Sequence, residues 1–285
     1  MKRRIKKIDI KITLTHIILI IVSIISIFPF LWLLSTALKG SGENIFLYPP
    51  ELIPRSITFS NFIEVWKKVP FLLYFFNSFI VASFTVILNL LFSSLAAYPL
   101  ARLEFRGKNF ILYSILATLM VPFQAIMLPI YLIVLKLNLV DTSSVIGAYL
   151  GLILPFSVNA FGIFLMRSAF LKIPKEIEEA AKIDGANAFR LFFEILLPMV
   201  KPSLAVLAIF TFIGSWGEFL WPSIVLTNRN LYTLPVGVND LQGIFSANWR
   251  LISSGAIISI IPILIFFIIM QKYFIEGENE GAIKG

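Results

Sequence analysis

Apolar residues along the chain gather into six long runs, at about 13–38, 71–101, 110–135, 143–166, 203–226 and 253–275. Each reaches the roughly 20 residues a helix needs to cross the hydrocarbon core of a bilayer. The pattern therefore predicts an all-α integral membrane protein with six transmembrane helices in a single domain, 1–285. Pro29, Pro99, Pro122, Pro129, Pro155, Pro222 and Pro262 fall inside the runs. Such breaks are tolerated in a membrane when neighbouring helices re-satisfy the freed backbone groups, so a packed bundle with kinked members is expected. Of the polar interruptions, the first (39–70) ends in a short amphipathic helix, Ser60–Val69, with Ser60 as its N-cap. The fourth (167–202) reads as a helix, a glycine turn and a second helix.

Composition sharpens this picture. Of 285 residues 58% are hydrophobic and 14% charged, against about a quarter charged in a soluble domain. That excludes an ordinary soluble enzyme, a disordered chain and a nucleic-acid-binding domain, despite the net charge of +8. There is no cysteine and one histidine, His16, which leaves little for thiol, zinc or triad chemistry. The first run, at about 26 residues, exceeds the roughly 7–15 of a signal-peptide core.

The basic residues are sided. With the N-terminus inside, six spans return the C-terminus inside. Lys2, Arg3, Arg4, Lys6, Lys7, Lys11, Arg102, Arg106, Lys108, Arg167, Lys172, Lys175, Lys182, Arg190, Lys201, Lys272 and Lys284 then share the inner face. Lys39, Arg55, Lys67, Lys68, Lys136, Arg229 and Arg250 lie outside. The bias supports N-in, C-in and makes 167–202 a cytoplasmic loop.

In that loop Pro174 suits the first turn of a helix. Glu176, Glu178 and Glu179 complement its positive end. Ile177, Ala180, Ala181 and Asp184 share a face by spacing, and Gly185 can take the left-handed turn that ends the helix. A second helix follows over 188–196, before Pro198 and Pro202. Two readings are open: an interfacial helix packed on its own bundle, or a knob that fits a groove on a cytoplasmic partner.

The run Glu179-Ala180-Ala181, three residues, Gly185-Ala186, nine residues from Gly185 to Ile195, then Ile195-Leu196-Leu197-Pro198, resembles the EAA loop of permease subunits of binding-protein-dependent ABC importers. Tyr48-Pro49-Pro50 through Asn61-Phe62, Asn77-Ser78, Gly214-Ser-Trp-Gly-Glu-Phe-Leu-Trp-Pro222 and Gly281–Gly285 resemble the carbohydrate-uptake branch, the maltose- and glycerol-phosphate-type second permease. Gly217 departs from the pattern, many relatives having Asn there. The resemblance implies a prokaryotic inner or plasma membrane location and a second, related permease subunit. It implies two copies of a cytoplasmic ATP-binding subunit that hold ATP and Mg, and an extracytoplasmic solute-binding protein. It implies that this chain, which lacks a P-loop, binds no cofactor or metal and catalyses nothing itself. Glu179, Ala180, Ala181, Asp184, Gly185, Ala186, Leu197 and Pro198 would couple to the ATPase, and the tail 277–285 would lie against it.

Ionisable and amide groups at membrane depth mark a pathway. Counting 1.5 Å per residue, Glu218 from Ser203 and Gln124 from Phe110 both fall in the outer part of the bilayer, as does Asn77. With Trp216 and Trp221 they form a candidate solute cavity. Alternatively Glu218 fixes helix packing and the tryptophans anchor the interface. Asn89 and Asn159 are expected to make interhelical hydrogen bonds. An ion-coupled secondary transporter and an intramembrane enzyme are the competing functions. One deep carboxylate, a helix-turn-helix loop with no counterpart after the second span and no buried acid pair count against them.

Overall fold

The computed structural model describes residues 10–49, 51–140, 144–242 and 248–282, with side chains to residue 272. Lys2 to Lys7, Pro50, Ser143 and Lys284 lie outside the described residues, as do the side chains of the tail. In chain order the helices are α1 Ile10–Leu38, α2 Ser60–Lys68, α3 Phe71–Arg102, α4 Lys108–Ala117 and α5 Phe123–Lys136. Then come α6 Val145–Ile153, α7 Ala160–Leu171, α8 Lys175–Ile183 and α9 Ala188–Met199. The last are α10 Lys201–Gly217, α11 Leu220–Val225, α12 Leu234–Asn239 and α13 Trp249–Ala282.

Among the described residues α1, α3 and α13 are unbroken, apolar and long enough to cross a membrane by themselves. The other expected spans are broken. α4 and α5 meet at 105°, and α6 and α7 at 58°, α4 and α6 each counted with the 3-10 turn that follows it. α9 and α10 meet at 78° across Val200. The stretch 203–226 is divided into α10 and α11 at Glu218 and Phe219. Taking each bent pair as one span gives up to six.

The prolines account for part of this. Pro29, Pro99 and Pro262 lie within helices. Before Pro122, by contrast, Val121 is extended (φ −94°, ψ 114°) and Pro122 itself has ψ 140°. A residue preceding proline is pushed out of the helical region, and two extended residues in succession turn the chain. At Pro222 the ring would meet the carbonyl four residues earlier, that of Glu218. Glu218 is extended (φ −67°, ψ 121°) and α10 stops there.

Two compact units emerge from the fold. One comprises residues 70–237 and 261–285. At its centre α3 packs along α7 and α10, burying a polar row: Asn77, Ser78, Thr85, Asn89, Ser93 and Ser94. Asn89 Nδ2 donates to the Phe156 carbonyl at 3.1 Å. Asn159 instead caps its own helix, accepting from Gly162 N at 2.7 Å, so its expected interhelical bond is replaced by a local one. Gly162 lets α7 approach α3: a Cβ there would lie 2.5 Å from Ser93 Oγ and 3.0 Å from Asn89 Oδ1.

The other unit comprises residues 1–69 and 238–260. α1 is apolar on all sides and exposed along most of its length, as a helix facing lipid or another subunit is. At its end Lys39 is buried. Its Nζ donates to the Glu51 carbonyl at 2.6 Å and lies 5.4 Å from the Trp32 ring centre. Asn61 Nδ2 donates to the carbonyls of Ala37 and Lys39, tying α2 to α1. Thr58, rather than Ser60, supports the start of α2: its hydroxyl accepts from Ser60 N at 3.1 Å. Glu43 accepts from Ser56 N, Arg55 N and Ser56 Oγ. The Ser56 N–H is the main cause holding this carboxyl below its ordinary value, against an opposing effect of burial.

Two outcomes are expected. Gly162→Val overpacks the α3–α7 contact, costs about 1–3 kcal/mol, and lowers the thermal unfolding midpoint of the purified protein in detergent. A carboxyl depressed by folding stabilises above its unfolded pKa and ceases to do so as pH falls through the folded value. Protection of the Arg55 and Ser56 amides against hydrogen exchange, relative to their intrinsic rates at each pH, is therefore expected to fall on acidification through the carboxylate range, and Glu43→Gln to remove that dependence.

Candidate functional site: the loop helices and the α10 cleft

α8 has nine residues, too few to be stable alone. Ile177 and Ala181 pack into the cluster that includes Phe170, Leu191 and Leu196. Between them Glu178 turns inward, where its carboxylate pairs with Arg102 Nε at 2.7 Å. Both side chains are nearly inaccessible, at 10% and 4% exposure. The contact is an ion pair rather than an aligned hydrogen bond. The same guanidinium donates to the Ile173 carbonyl, and Arg167 Nε donates to Leu100 O at 3.0 Å. The ends of α3 and α7 and the start of α8 are thereby joined. The expected face Ile177, Ala180, Ala181, Asp184 is divided: Ala181 is buried, while Ala180 and Asp184 are exposed.

The glycine turn forms as the sequence indicates. Gly185 has φ +83°. Its N–H donates to Lys182 O at 3.1 Å, and Ala186 N donates to Ala181 O at 2.9 Å. This pair of bonds is the Schellman closure of a helix end. Asn187 then caps α9, accepting from Arg190 N at 2.8 Å. α9 runs to Met199, past the expected end at 196, and Pro198 lies in its last turn. Leu191–Leu196 adopt π-helical, five-residue bonding; Pro198 has no N–H for the Glu194 carbonyl. Glu179, Ala180, Asp184, Gly185 and Pro198 are exposed, and Ala186 and Leu197 partly buried. Two apolar side chains stand in the open beside them, Ile183 at 85% and Phe189 at 69% exposure.

The five residues expected around one solute cavity do not come together. Asn77 is buried: it donates to the carbonyls of Asn230 (2.9 Å) and Tyr232 (3.0 Å) and accepts from Tyr149 Oη at 2.7 Å. With Ser78 Oγ, which accepts from Leu234 N at 2.7 Å, it latches the segment 230–234 onto α3. Trp216 is packed among Phe75 and Phe212. Trp221 is fully buried, its Nε1 donating to Gly151 O at 3.0 Å. Both tryptophans fill the core, because each ring is enclosed by neighbouring helices instead of facing a cleft. Gln124 is exposed, and the bend before α5 invalidates a depth counted along a straight helix.

Glu218 differs from these four. Its Oε1 accepts from Trp221 N at 3.1 Å, supporting the start of α11. The residue also lines a cleft of about 180 Å³ with Thr85, Asn159, Thr211 and Ser215. Sequence reasoning assigned Asn159 an interhelical bond and passed over the other three. Thr211, Ser215 and Glu218 stand at i, i+4 and i+7, a polar stripe on one helical face that was readable. Thr85 comes from another helix and gave no local signal. Likewise nothing local linked Arg102 to Glu178.

Removing one member of a buried ion pair leaves the other uncompensated, at about 3–5 kcal/mol. Glu178→Ala is therefore expected to lower the thermal midpoint of the purified protein more than the double variant Glu178→Leu with Arg102→Met, and limited proteolysis of the α8–α9 loop to rise in the same order.

Residues 89–277 match the family model described as binding-protein-dependent transport system inner membrane component. An arabinooligosaccharides transport system permease protein of Halalkalibacterium halodurans is 38% identical over 93% of this chain and 93% of its own length. An sn-glycerol-3-phosphate transport system permease protein of Pectobacterium atrosepticum is 31% identical over 92% and 94%. A solved bacterial ABC transporter involved in the import of the acidic polysaccharide alginate has a chain that superposes with a TM-score of 0.78 at 25% identity, covering 96% of this chain and 99% of that one. The matched family and the broken apolar helices agree: the chain belongs to the binding-protein-dependent transport system inner membrane components.

Proposed function

We propose that this chain imports a carbohydrate or carbohydrate-like solute as the permease subunit of an ATP-driven transporter. The observation that carries the reading is the α8–Gly185–α9 loop. It is closed by Schellman bonds and held to α3 through Glu178 and Arg102, and it presents Ala180, Ile183, Asp184 and Phe189 outward. A rigid projection with an apolar tip and an acidic flank suits a groove on another protein. In this proposal it faces the cytoplasm, in keeping with the sidedness of the basic residues. It docks on one of two ATP-binding subunits, which carry ATP and Mg; this chain binds neither.

Closure of those subunits pulls on α8, and the Arg102–Glu178 pair passes the movement to α3 and the helices packed on it. A second, related permease completes the pathway, and an extracytoplasmic binding protein delivers the solute. Glu179, Ala180, Ala181, Asp184, Gly185, Ala186, Leu197 and Pro198 form or support the coupling surface. The relatives' names specify arabinooligosaccharides, sn-glycerol 3-phosphate and the polysaccharide alginate, which supports a carbohydrate or carbohydrate-like solute. Family membership sets aside the ion-coupled transporter and the intramembrane enzyme.

A Cβ at Gly185 meets nothing within 4 Å, so substitution strains only the turn itself. A β-branched residue at positive φ is an outlier. Gly185→Val is expected to leave the chain inserted in the membrane. In proteoliposomes holding the complete complex it is expected to reduce binding-protein-stimulated ATP hydrolysis at least tenfold. Normal coupled transport by this variant overturns the coupling assignment, and uptake that survives ATP depletion overturns ATP drive.

A further inference from the structure

The solutes named for the relatives include both charge classes, neutral oligosaccharides and anions. Similarity therefore leaves the charge of this chain's solute open, and the cleft beside Glu218 bears on it. Its polar groups have unused capacity. Asn159 uses Oδ1 to cap α7, which leaves its amide N–H groups for a ligand. Glu218 commits Oε1 to Trp221 N, leaving Oε2. Phe156 and Phe210 supply flanking apolar rings. Among the described residues no lysine or arginine lines the cleft. At about 180 Å³ it is smaller than the roughly 300–1,000 Å³ of sites that enclose a drug-sized ligand, so it accommodates part of a larger solute.

We infer that this cleft takes one ring of a neutral polyhydroxylated solute and that Glu218 discriminates against acidic ones. Sugar hydroxyls donate to the Glu218 carboxylate and accept from the Asn159 amide, and the C–H face of the ring lies against phenylalanine. A uronate or phosphate brought to the same place meets a carboxylate in a partly enclosed site with no cation to neutralise it. Such a repulsive element is how specificity against a competitor is built. The inference rests on the carbohydrate-import reading and selects within it.

Gly214 supplies the test. It lines the cleft, and a Cβ there meets no atom within 4 Å. Gly214→Val therefore narrows the cleft without a clash in the fold. The complete transporter is placed in nanodiscs without its binding protein, so that only the membrane subunits select. Binding of raffinose and of trigalacturonate is followed by saturation-transfer NMR.

Wild type is expected to bind raffinose in preference to trigalacturonate. Gly214→Val is expected to weaken raffinose at least tenfold, and Glu218→Gln to raise the affinity ratio of trigalacturonate to raffinose at least tenfold. Unchanged raffinose binding in Gly214→Val, an unchanged ratio in Glu218→Gln, or wild-type preference for trigalacturonate each overturns the inference. ATP hydrolysis stimulated by the binding protein, measured on the same preparations, separates the two levels. If it is normal while selectivity does not move, only the cleft assignment fails; if it is absent in wild type, the import reading fails.

Discussion

Two opposite charges, withdrawn together from solvent, hold the loop in place. Glu178 and Arg102 are separated by 76 positions in sequence and meet at 2.7 Å. Isolating either charge in this environment is expensive, so the pair tolerates few alternative placements of α8. The remaining contacts turn that constraint into a joint. Arg102 also holds the Ile173 carbonyl, Arg167 holds the Leu100 carbonyl, and Ala181 and Ile177 seat the helix on the cluster below. α8 cannot shift without dragging the end of α3. Because α3 is the helix on which α7 and α10 pack, a displacement at the loop reaches the centre of that unit through bonded and packed groups.

A second constraint acts on the broken helices. Backbone groups freed at membrane depth must find partners inside the protein, and at two of the breaks a specific side chain supplies one. Asn159 caps α7 after the break that follows Phe156, Glu218 supports α11 after the break at the end of α10, and Asn89 takes up the Phe156 carbonyl. Two of these breaks, at Asn159 and Glu218, border the same cleft. The cleft is therefore a consequence of how the breaks are satisfied: the residues that repair the backbone are also the ones left facing the gap.

This explains what was legible in the sequence. Apolar run length located α1 and α3 to within three residues and α13 to within seven, since a long unbroken apolar helix is written in composition. Gly185 was legible because the left-handed turn is a local backbone demand that glycine meets best. The 105° turn at Pro122 was not, because a proline fixes its own φ and biases its predecessor, while the size of the bend depends on what the two arms pack against. Pro99 and Pro122 look alike in sequence and differ in outcome for that reason. The tryptophans misled for a related reason: Trp216 and Trp221 occur in a motif with Glu218, yet helical spacing turns their rings into the core. Arg102 and Thr85 needed tertiary contact to acquire meaning.

Glu178 and Glu218 show how surroundings decide what a carboxylate does. Both stand beside a helix start, and both are partly or wholly withdrawn from solvent. Glu178 meets a guanidinium at once and is consumed by structure; its worth lies in fixing geometry, and a neutral replacement of the pair preserves shape while losing the restriction on placement. Glu218 supports a backbone amide with one oxygen and has no basic residue among its cleft neighbours. Its second oxygen is free to accept from a solute. The proposed import mechanism draws on both arrangements: a neutralised pair in the joint that holds the loop, and an uncompensated carboxylate in the cleft.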